Sequence, residues 1–200
     1  MAPTRLRLWP GPDLGLSCTA TVCDDAIVVF QGGAAVVEGR DAQPEQAPDF
    51  AVAAYREEGR WVCLPLRAEA GGSIDTLVAA LHQLPAQEGA LALVCFDDDF
   101  SLIVRVQGRQ VRLVLSDVTA AEEWRVAAEA LEHCGGPLPG VEQDPVPVGD
   151  LGMLADLGLG ELDLSMLCED PDLYPDELLA DVATRLGFGE DFDRVLDSAR

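Results

Sequence analysis

Three consecutive stretches between residues 90 and 116 place the strongest limit on how this chain can fold. Ala90–Phe96 is almost wholly apolar, whereas Phe100–Gln107 and Gln110–Ser116 alternate between apolar and polar residues. Such runs are typical of strands, and short turns at Asp97–Asp99 and Gly108-Arg109 separate them. Hairpin connections make neighbouring strands antiparallel. The pattern therefore predicts an antiparallel meander of three strands.

A predicted hairpin and helix precede these three strands. Phe50–Arg56 and Arg60–Leu66 flank Glu57-Glu58-Gly59, which is typical of a hairpin with glycine in its turn. Ser73 is a suitable cap for a helix that ends before Pro85. The apolar residues at helical spacing in this segment are Ile74, Leu77, Val78 and Leu81.

A second helix is predicted after the meander. Thr119 and Glu122 fit a capping box at its beginning. The residues predicted to line its buried face are Ala121, Trp124, Ala128 and Leu131. The resulting order, β-β-α-β-β-β-α, predicts an α+β fold with a five-stranded, mainly antiparallel sheet. Profilin-like and roadblock-like domains share this order, and the analogy concerns topology alone.

The last sixty residues combine strong negative charge with a helical pattern. Residues 141–200 hold sixteen Asp or Glu and three Arg, a net charge of -13, against -6 for residues 50–140. Pro175 suits the first position of a helix, and Gly187 followed by Phe188 fits a helix end. We therefore predict a short acidic helical region after the sheet.

Composition divides the chain into four predicted segments. They are an N-terminal extension at residues 1–49, an α+β sheet domain at 50–134, a Pro- and Gly-rich linker at 135–147 and an acidic helical region at 148–200. Within the extension, apolar runs predict strand structure at Ala26–Phe30 and its continuation at Ala34–Val37.

Overall charge excludes several classes of function. The net charge is -23, from 36 acidic residues and 13 Arg, with no Lys. Because nucleic-acid and anionic-membrane binding depend on cationic side chains, we expect neither partner. The absence of Lys also excludes P-loop and Schiff-base chemistry. Six cysteines without a CxxC motif indicate a cytoplasmic protein with reduced thiols.

The sequence predicts no catalytic residue, metal or cofactor. His82 and His133 fall in the last turns of the two predicted helices, where the helix dipole stabilises a positive charge. The Asp97–Asp99 run lacks the spread of ligands that a calcium loop needs, so we expect a solvated turn. Arg105 and Arg112 should lie on one face of the sheet, where they meet phosphate, form the polar face of the sheet or pair with the acidic C-terminal region.

Four segments resemble those of a known family. They are Phe50–Trp61, Arg112–Ala121, Gly149–Gly158, and Asp172–Glu177 with Leu186–Gly189. Together they resemble the actinobacterial tRNA adenosine deaminase-associated protein family, over about 150 residues from Phe50 to the end. The resemblance implies gene neighbourhood with a tRNA adenosine deaminase and carries over no catalytic residue. The chain is not itself that deaminase, because it lacks the Pro-Cys-x-x-Cys zinc motif.

Charge and resemblance together predict a non-catalytic acidic module that binds a protein partner, namely a tRNA adenosine deaminase. The predicted partner-binding residues are Asp150, Asp156, Asp172, Tyr174, Asp176, Glu177 and Phe188. Two alternatives stay open: a homodimeric scaffold of the profilin-like or roadblock-like type, and an enzyme of unrecognised class that uses paired carboxylates.

Overall fold

The chain divides into two units, residues Met1–Glu45 and Gln46–Arg200. The computed structural model describes residues 20–23, 26–31, 34–39, 46–136 and 144–199. In the first unit, three strands form an antiparallel sheet in chain order: β1 (Ala20–Cys23), β2 (Ala26–Gln31) and β3 (Ala34–Gly39). The strand residues predicted at Ala26–Phe30 and Ala34–Val37 lie in β2 and β3. Apart from β1, β2 and β3, residues 1–45 lie outside the described residues.

The second unit is built on one antiparallel sheet. Its strands are β4 (Phe50–Glu57), β5 (Arg60–Pro65), β6 (Ala90–Phe96), β7 (Phe100–Gln107), β8 (Gln110–Leu115) and β9 (Val148–Gly149), in the spatial order β5-β4-β6-β7-β8-β9. Its α-helices are α1 (Ile74–His82), α2 (Arg125–Cys134), α3 (Glu161–Cys168), α4 (Pro175–Leu186) and α5 (Gly189–Ala199). The α+β class is therefore confirmed.

The predicted strand number was wrong by one, because β9 adds a sixth strand to the sheet. Val148 pairs with Leu115 and Gly149 with Val114, so the chain returns to the sheet edge after α2. Two residues are too short to show the period-two alternation by which strands are recognised. The strand follows directly on the predicted linker, of which residues 137–143 lie outside the described part.

The beginning of α2 also differs from the prediction. Residues Val118–Glu122 form a separate 3₁₀ turn, and the α-helix begins at Arg125. The cap of that turn is Asp117, whose carboxylate accepts a hydrogen bond from the Thr119 N–H at 2.8 Å. The predicted capping box at Thr119 and Glu122 was therefore wrong, because Asp117 supplies the acceptor. The buried residues of α2 are Val126, Ala127, Ala130 and Leu131.

Both faces of the sheet are apolar and both are covered. In β4, Ala51, Ala53 and Tyr55 face a core shared with α1 and α2, whereas Val52 and Ala54 face a second core shared with α3, α4 and α5. Every residue of the central strand β6 is buried. A strand with both faces buried has a continuous apolar run rather than an alternating one, which explains the sequence of Ala90–Phe96.

The acidic helical region supplies the second cover. The apolar residues of α4 that pack on the sheet are Leu178, Leu179, Val182, Ala183 and Leu186. Aromatic contacts between the sheet and the helical region add to this core. The ring centroids of Trp61 and Phe188 lie 4.6 Å apart, and those of Phe50 and Phe192 lie 5.9 Å apart. The Trp61 indole N–H also donates to the Leu186 carbonyl at 3.0 Å. These helices are thus part of the folded core, with their acidic residues outside.

We predict that Gly149→Ala destabilises the second unit by about 2–3 kcal/mol. Gly149 has φ 122°, and a Cβ there would lie 2.1 Å from the Leu113 carbonyl oxygen. Urea unfolding measures the effect. Gly72→Ala is the control, because a Cβ at Gly72 meets no atom within 4 Å, and equal midpoints for the two variants would contradict the close approach of β9 to β8.

Candidate partner-binding surface

Asp156, one of the predicted partner-binding residues, pairs with an arginine buried in the sheet. Arg105 on β7 is 2% exposed, and its guanidinium donates to both carboxylate oxygens of Asp156, at 2.5 Å and 2.8 Å. It also donates to the Met153 carbonyl. The hydrogen bond from Arg105 lowers the pKa of Asp156 below its usual value of 3.8. This contact fixes the segment before α3 to the second face of the sheet.

Asp150 has a similar but weaker contact. Its carboxylate lies 3.8 Å from the guanidinium of Arg112. Arg112 is the direct cross-strand neighbour of Arg105, and two like charges at such positions destabilise a sheet unless they are compensated. Of the roles considered for these arginines, the structure shows pairing with the acidic region, and the burial of Arg105 excludes it from an exposed polar face. Asp150 and Asp156 are exposed, but each is engaged within the chain.

Four other predicted residues lie together where the chain enters α4. We call residues 172–177 the α4 corner. Asp172, Asp176 and Glu177 are exposed there, and Tyr174 is 58% exposed. Glu177 accepts a hydrogen bond from the Tyr174 N–H at 3.2 Å, so its carboxylate helps to cap the helix. Asp172 and Tyr174 therefore present the side chains that are freest to meet a partner.

Phe188 does not belong to this surface. It is 2% exposed and packs against Trp61 in the second core. The hydrophobic residue that follows a glycine at a helix C-terminus commonly packs back on its helix. Here Phe188 also packs against Trp61 of the sheet. The prediction that Phe188 contacts a partner is corrected by this burial.

Two exposed apolar residues of α3 were missed by sequence reasoning. Leu162 is 73% exposed and Met166 is 64% exposed, whereas Leu164 and Leu167 on the same helix are buried. All four residues are apolar, so the sequence predicts a buried segment without indicating which pair faces the sheet. The i,i+4 spacing of Leu162 and Met166 was the available signal, because it places these two side chains next to each other on the helix.

Four carboxylates surround an open cleft beside the α4 corner. Asp49, Asp97, Asp98 and Asp176 line a space of about 320 Å³, together with Phe50, Cys95 and Leu196. The pKa of Asp49 is raised by partial desolvation and by the neighbouring Asp97 carboxylate. Burial and the same carboxylates raise the pKa of the Cys95 thiol to about 12. The cleft therefore attracts cations and contains no thiolate at neutral pH.

Negative charge predominates in the segment that carries α3 and the α4 corner. Residues 150–181 contain ten Asp or Glu, all exposed, and no Arg occurs between Arg125 and Arg185. His82 and His133 lie in the last turns of α1 and α2, as predicted. Within residues 46–136 and 144–198, no three His, Cys, Asp or Glu side chains converge as metal ligands would. The surface is suited to hold cationic groups of another molecule.

Comparison with known proteins identifies the family of this chain. The family model described as "Rv3753c-like tRNA adenosine deaminase-associated protein" matches residues 49–189. The chain belongs to this family. It is also 39% identical to Protein Rv3753c of Mycobacterium tuberculosis (strain ATCC 25618 / H37Rv) over 154 residues, which cover 75% of this chain and 89% of that protein. The resemblance found in the sequence is thus confirmed.

The match to the Rv3753c-like family covers α3, the α4 corner and the four carboxylates of the cleft, whereas Leu196 of the cleft lies beyond it. It begins at Asp49, the first carboxylate of the cleft, and extends beyond α3 and α4 to residue 189. No solved structure gave a significant match. In the described part of the chain, no helix combines the length and apolar character that crossing a bilayer requires.

We predict that Asp156→Asn destabilises the protein by about 1–3 kcal/mol, because it leaves the buried Arg105 guanidinium without its counter-charge, while water screens the exposed Asp156 side of the pair. Since the pKa of Asp156 is lowered in the folded state, its stabilising effect is complete above pH 3.8 and is lost as the pH falls through the lower, folded pKa. Urea unfolding at pH 7 and below pH 4 measures both effects.

Two controls accompany this measurement. Adding Arg105→Met to Asp156→Asn should recover much of the lost stability, because an apolar side chain suits the buried position. Asp191→Asn removes the exposed pair with Arg194 on α5 and should cost less than about 0.5 kcal/mol. Equal losses for Asp156→Asn and Asp191→Asn would contradict the structural role of the pair between Asp156 and the buried Arg105.

We predict that Asp49→Asn does not lower the free energy of unfolding at pH 7. Any increase should be at most about 1 kcal/mol, because water screens this exposed group. Because the pKa of Asp49 is raised from 3.8, ionisation of Asp49 disfavours the folded state as the pH rises through the folded value. The gain should disappear below pH 3.8. Glu57→Gln, on the β4–β5 hairpin, is the control, and a clear loss of stability for Asp49→Asn alone would contradict this electrostatic account.

Proposed function

We propose that this chain is a non-catalytic cytoplasmic module that binds a tRNA adenosine deaminase through its acidic surface. The observation that carries the proposal is the coincidence of ten exposed acids, no intervening Arg and three exposed apolar residues between positions 150 and 181. The family description names the kind of protein with which members are associated. The surface supplies the chemistry by which such an association would form.

Charge complementarity supports a tRNA-binding enzyme as the partner. An enzyme that binds tRNA needs cationic side chains to displace counterions from the phosphates. The negative surface of this chain would attract that cationic region and accelerate association. The same surface repels nucleic acid itself. Binding at the tRNA site would make this chain a competitor of tRNA, whereas binding beside that site would make it a stable subunit.

A non-catalytic role agrees with the chemistry of the cleft. All four of its carboxylates are exposed to solvent, so they lack the enclosed environment in which enzymes shift carboxyl pKa values by several units. The high pKa of Cys95, about 12, keeps that thiol protonated. Nucleophilic catalysis by cysteine requires the thiolate. Recognition of cations is the simpler use of such a cleft.

We predict that the chain and a purified tRNA adenosine deaminase form a complex whose dissociation constant rises with salt concentration. The variant Asp163→Lys/Asp172→Lys reverses two exposed charges on the acidic surface and should weaken binding by at least about tenfold in low salt. Isothermal titration calorimetry at about 50 mM and 500 mM salt measures both effects, because salt screens exposed charges.

The matched control for this experiment is Glu57→Lys/Glu58→Lys. These two residues are exposed at the β4–β5 hairpin, so the variant changes the net charge by the same amount at another position. Its affinity should stay within about threefold of the unmodified chain. Absence of any complex in low salt would overturn the proposed function. Equal weakening by both variants would show that net charge, rather than this surface, determines binding.

A second candidate function is favoured by one observation, the raised pKa of Asp49 beside Asp97. Two carboxylates that share a site can act as a general acid and a general base. Such an enzyme would lose activity when either carboxylate becomes an amide. A screen of hydrolytic substrates with the unmodified chain and with Asp49→Asn would distinguish this candidate from a binding module.

Self-association is a third candidate, favoured by the position of β5. This strand is at one end of the six-stranded sheet order, and an edge strand can pair with the same strand of a second copy. The net charge of -23 on each chain opposes such a dimer. Light scattering at micromolar concentration in low and high salt would show whether a dimer forms.

A further inference from the structure

Helix α3 has two apolar faces, of which the fold uses one. Leu164 and Leu167 are 0% and 4% exposed and pack in the second core. Leu162 and Met166 are 73% and 64% exposed on the outside of the same helix. Because residues four apart are neighbours on a helix, these two side chains form one continuous apolar strip. We call this pair the α3 ridge.

The α3 ridge is part of a concentration of exposed apolar residues. In the described residues 46–136 and 144–198, the large hydrophobic side chains that are exposed are Val146, Leu162, Met166 and Tyr174. Three of these four fall within thirteen positions. Single exposed hydrophobic residues are normal on protein surfaces, whereas adjacent exposed residues such as Leu162 and Met166 favour an interaction site. Met and Tyr are also among the residues enriched in interfaces.

Acidic residues surround the α3 ridge in sequence. Glu161 and Asp163 flank Leu162, and Glu169, Asp170 and Asp172 follow the helix. All five are exposed, and no ion pair within the described segments uses any of their carboxylates. The ridge is therefore an apolar strip within a negative field that the chain itself leaves uncompensated.

We infer that the α3 ridge is the apolar anchor of the complex, and that it inserts into an apolar pocket of the deaminase whose rim carries Arg or Lys. This inference rests on the proposed function and specifies the contact through which it operates. Desolvated apolar residues at the centre of an interface carry most of its affinity, while surrounding charges direct association. The five acidic residues would meet the cationic rim.

The charge of the surface decides between this occupant and others. A second copy of the chain would bring the five acidic residues of each copy near one another, and like charges repel. A nucleic acid or an anionic membrane would be repelled for the same reason. A protein pocket with a cationic rim would bury the apolar strip and pair with the acidic side chains around it.

The test compares Leu162→Gln/Met166→Gln with Leu162→Met/Met166→Leu in the full-length chain. Glutamine keeps helix propensity and removes the apolar contact, whereas the exchange of Leu and Met conserves it. Binding to a purified tRNA adenosine deaminase is measured by calorimetry in low and high salt. We expect the double Gln variant to bind about 10- to 100-fold more weakly. Its salt dependence should be unchanged, because all acids remain, and the exchange variant should bind within about threefold.

Urea unfolding of each variant separates binding from folding. Both ridge residues are exposed, so the unfolding midpoint should stay unchanged. If the double variant is less stable, the single variants Leu162→Gln and Met166→Gln are used instead. Each should weaken binding to the deaminase while its urea unfolding midpoint stays unchanged. Val146→Gln, at another exposed apolar residue, is the control and should bind like the unmodified chain.

Three results would overturn the inference. If the unmodified chain and the double Gln variant bind equally, the ridge is not the anchor although the proposed function stands. If the unmodified chain does not bind the deaminase in low salt, both fail. If light scattering shows a dimer that the double Gln variant abolishes, the occupant of the ridge is a second copy rather than the deaminase.

Discussion

The burial of both faces of one antiparallel sheet is the constraint on which the rest of this structure depends. β6 is buried along its whole length, and no single layer of helices can cover two faces. α1 and α2 cover one face, and α3, α4 and α5 cover the other. The hydrophobic effect favours this arrangement because it is proportional to the apolar area removed from water. The C-terminal third is therefore required by the sheet.

The charge of that third follows from its position as an outer layer. Each helix has an apolar side that meets the sheet, and all of its acids lie on the remaining side. Asp156, in the segment before α3, is used internally at the sheet, where it compensates the buried Arg105. The other carboxylates have few cations nearby, since no Arg lies between positions 125 and 185. A predominantly negative surface that contains exposed Leu and Met is thus presented outward.

Much of this fold could be predicted from local patterns. The limits of β6, β7 and α4 follow from runs, turns and caps that act within a few residues. β9 and the beginning of α2 could not be predicted, because one has two residues and the other follows a turn capped by Asp117. The candidate site was harder to predict than the fold, because the burial of Phe188 and the exposure of Leu162 and Met166 depend on which helix face packs against the sheet. The pairing of Asp156 required the register that brings it beside Arg105.

Hydrogen–deuterium exchange on the chain, alone and with a purified tRNA adenosine deaminase in low salt, tests the central claim most directly. In the free chain, β6 and α4 should exchange slowly together, since they form one cooperative core. With the deaminase, we predict added protection of residues 161–177 and little change in α1 and α2, on the opposite face of the sheet. Protection confined to α1 and α2, or none at all, would contradict the account.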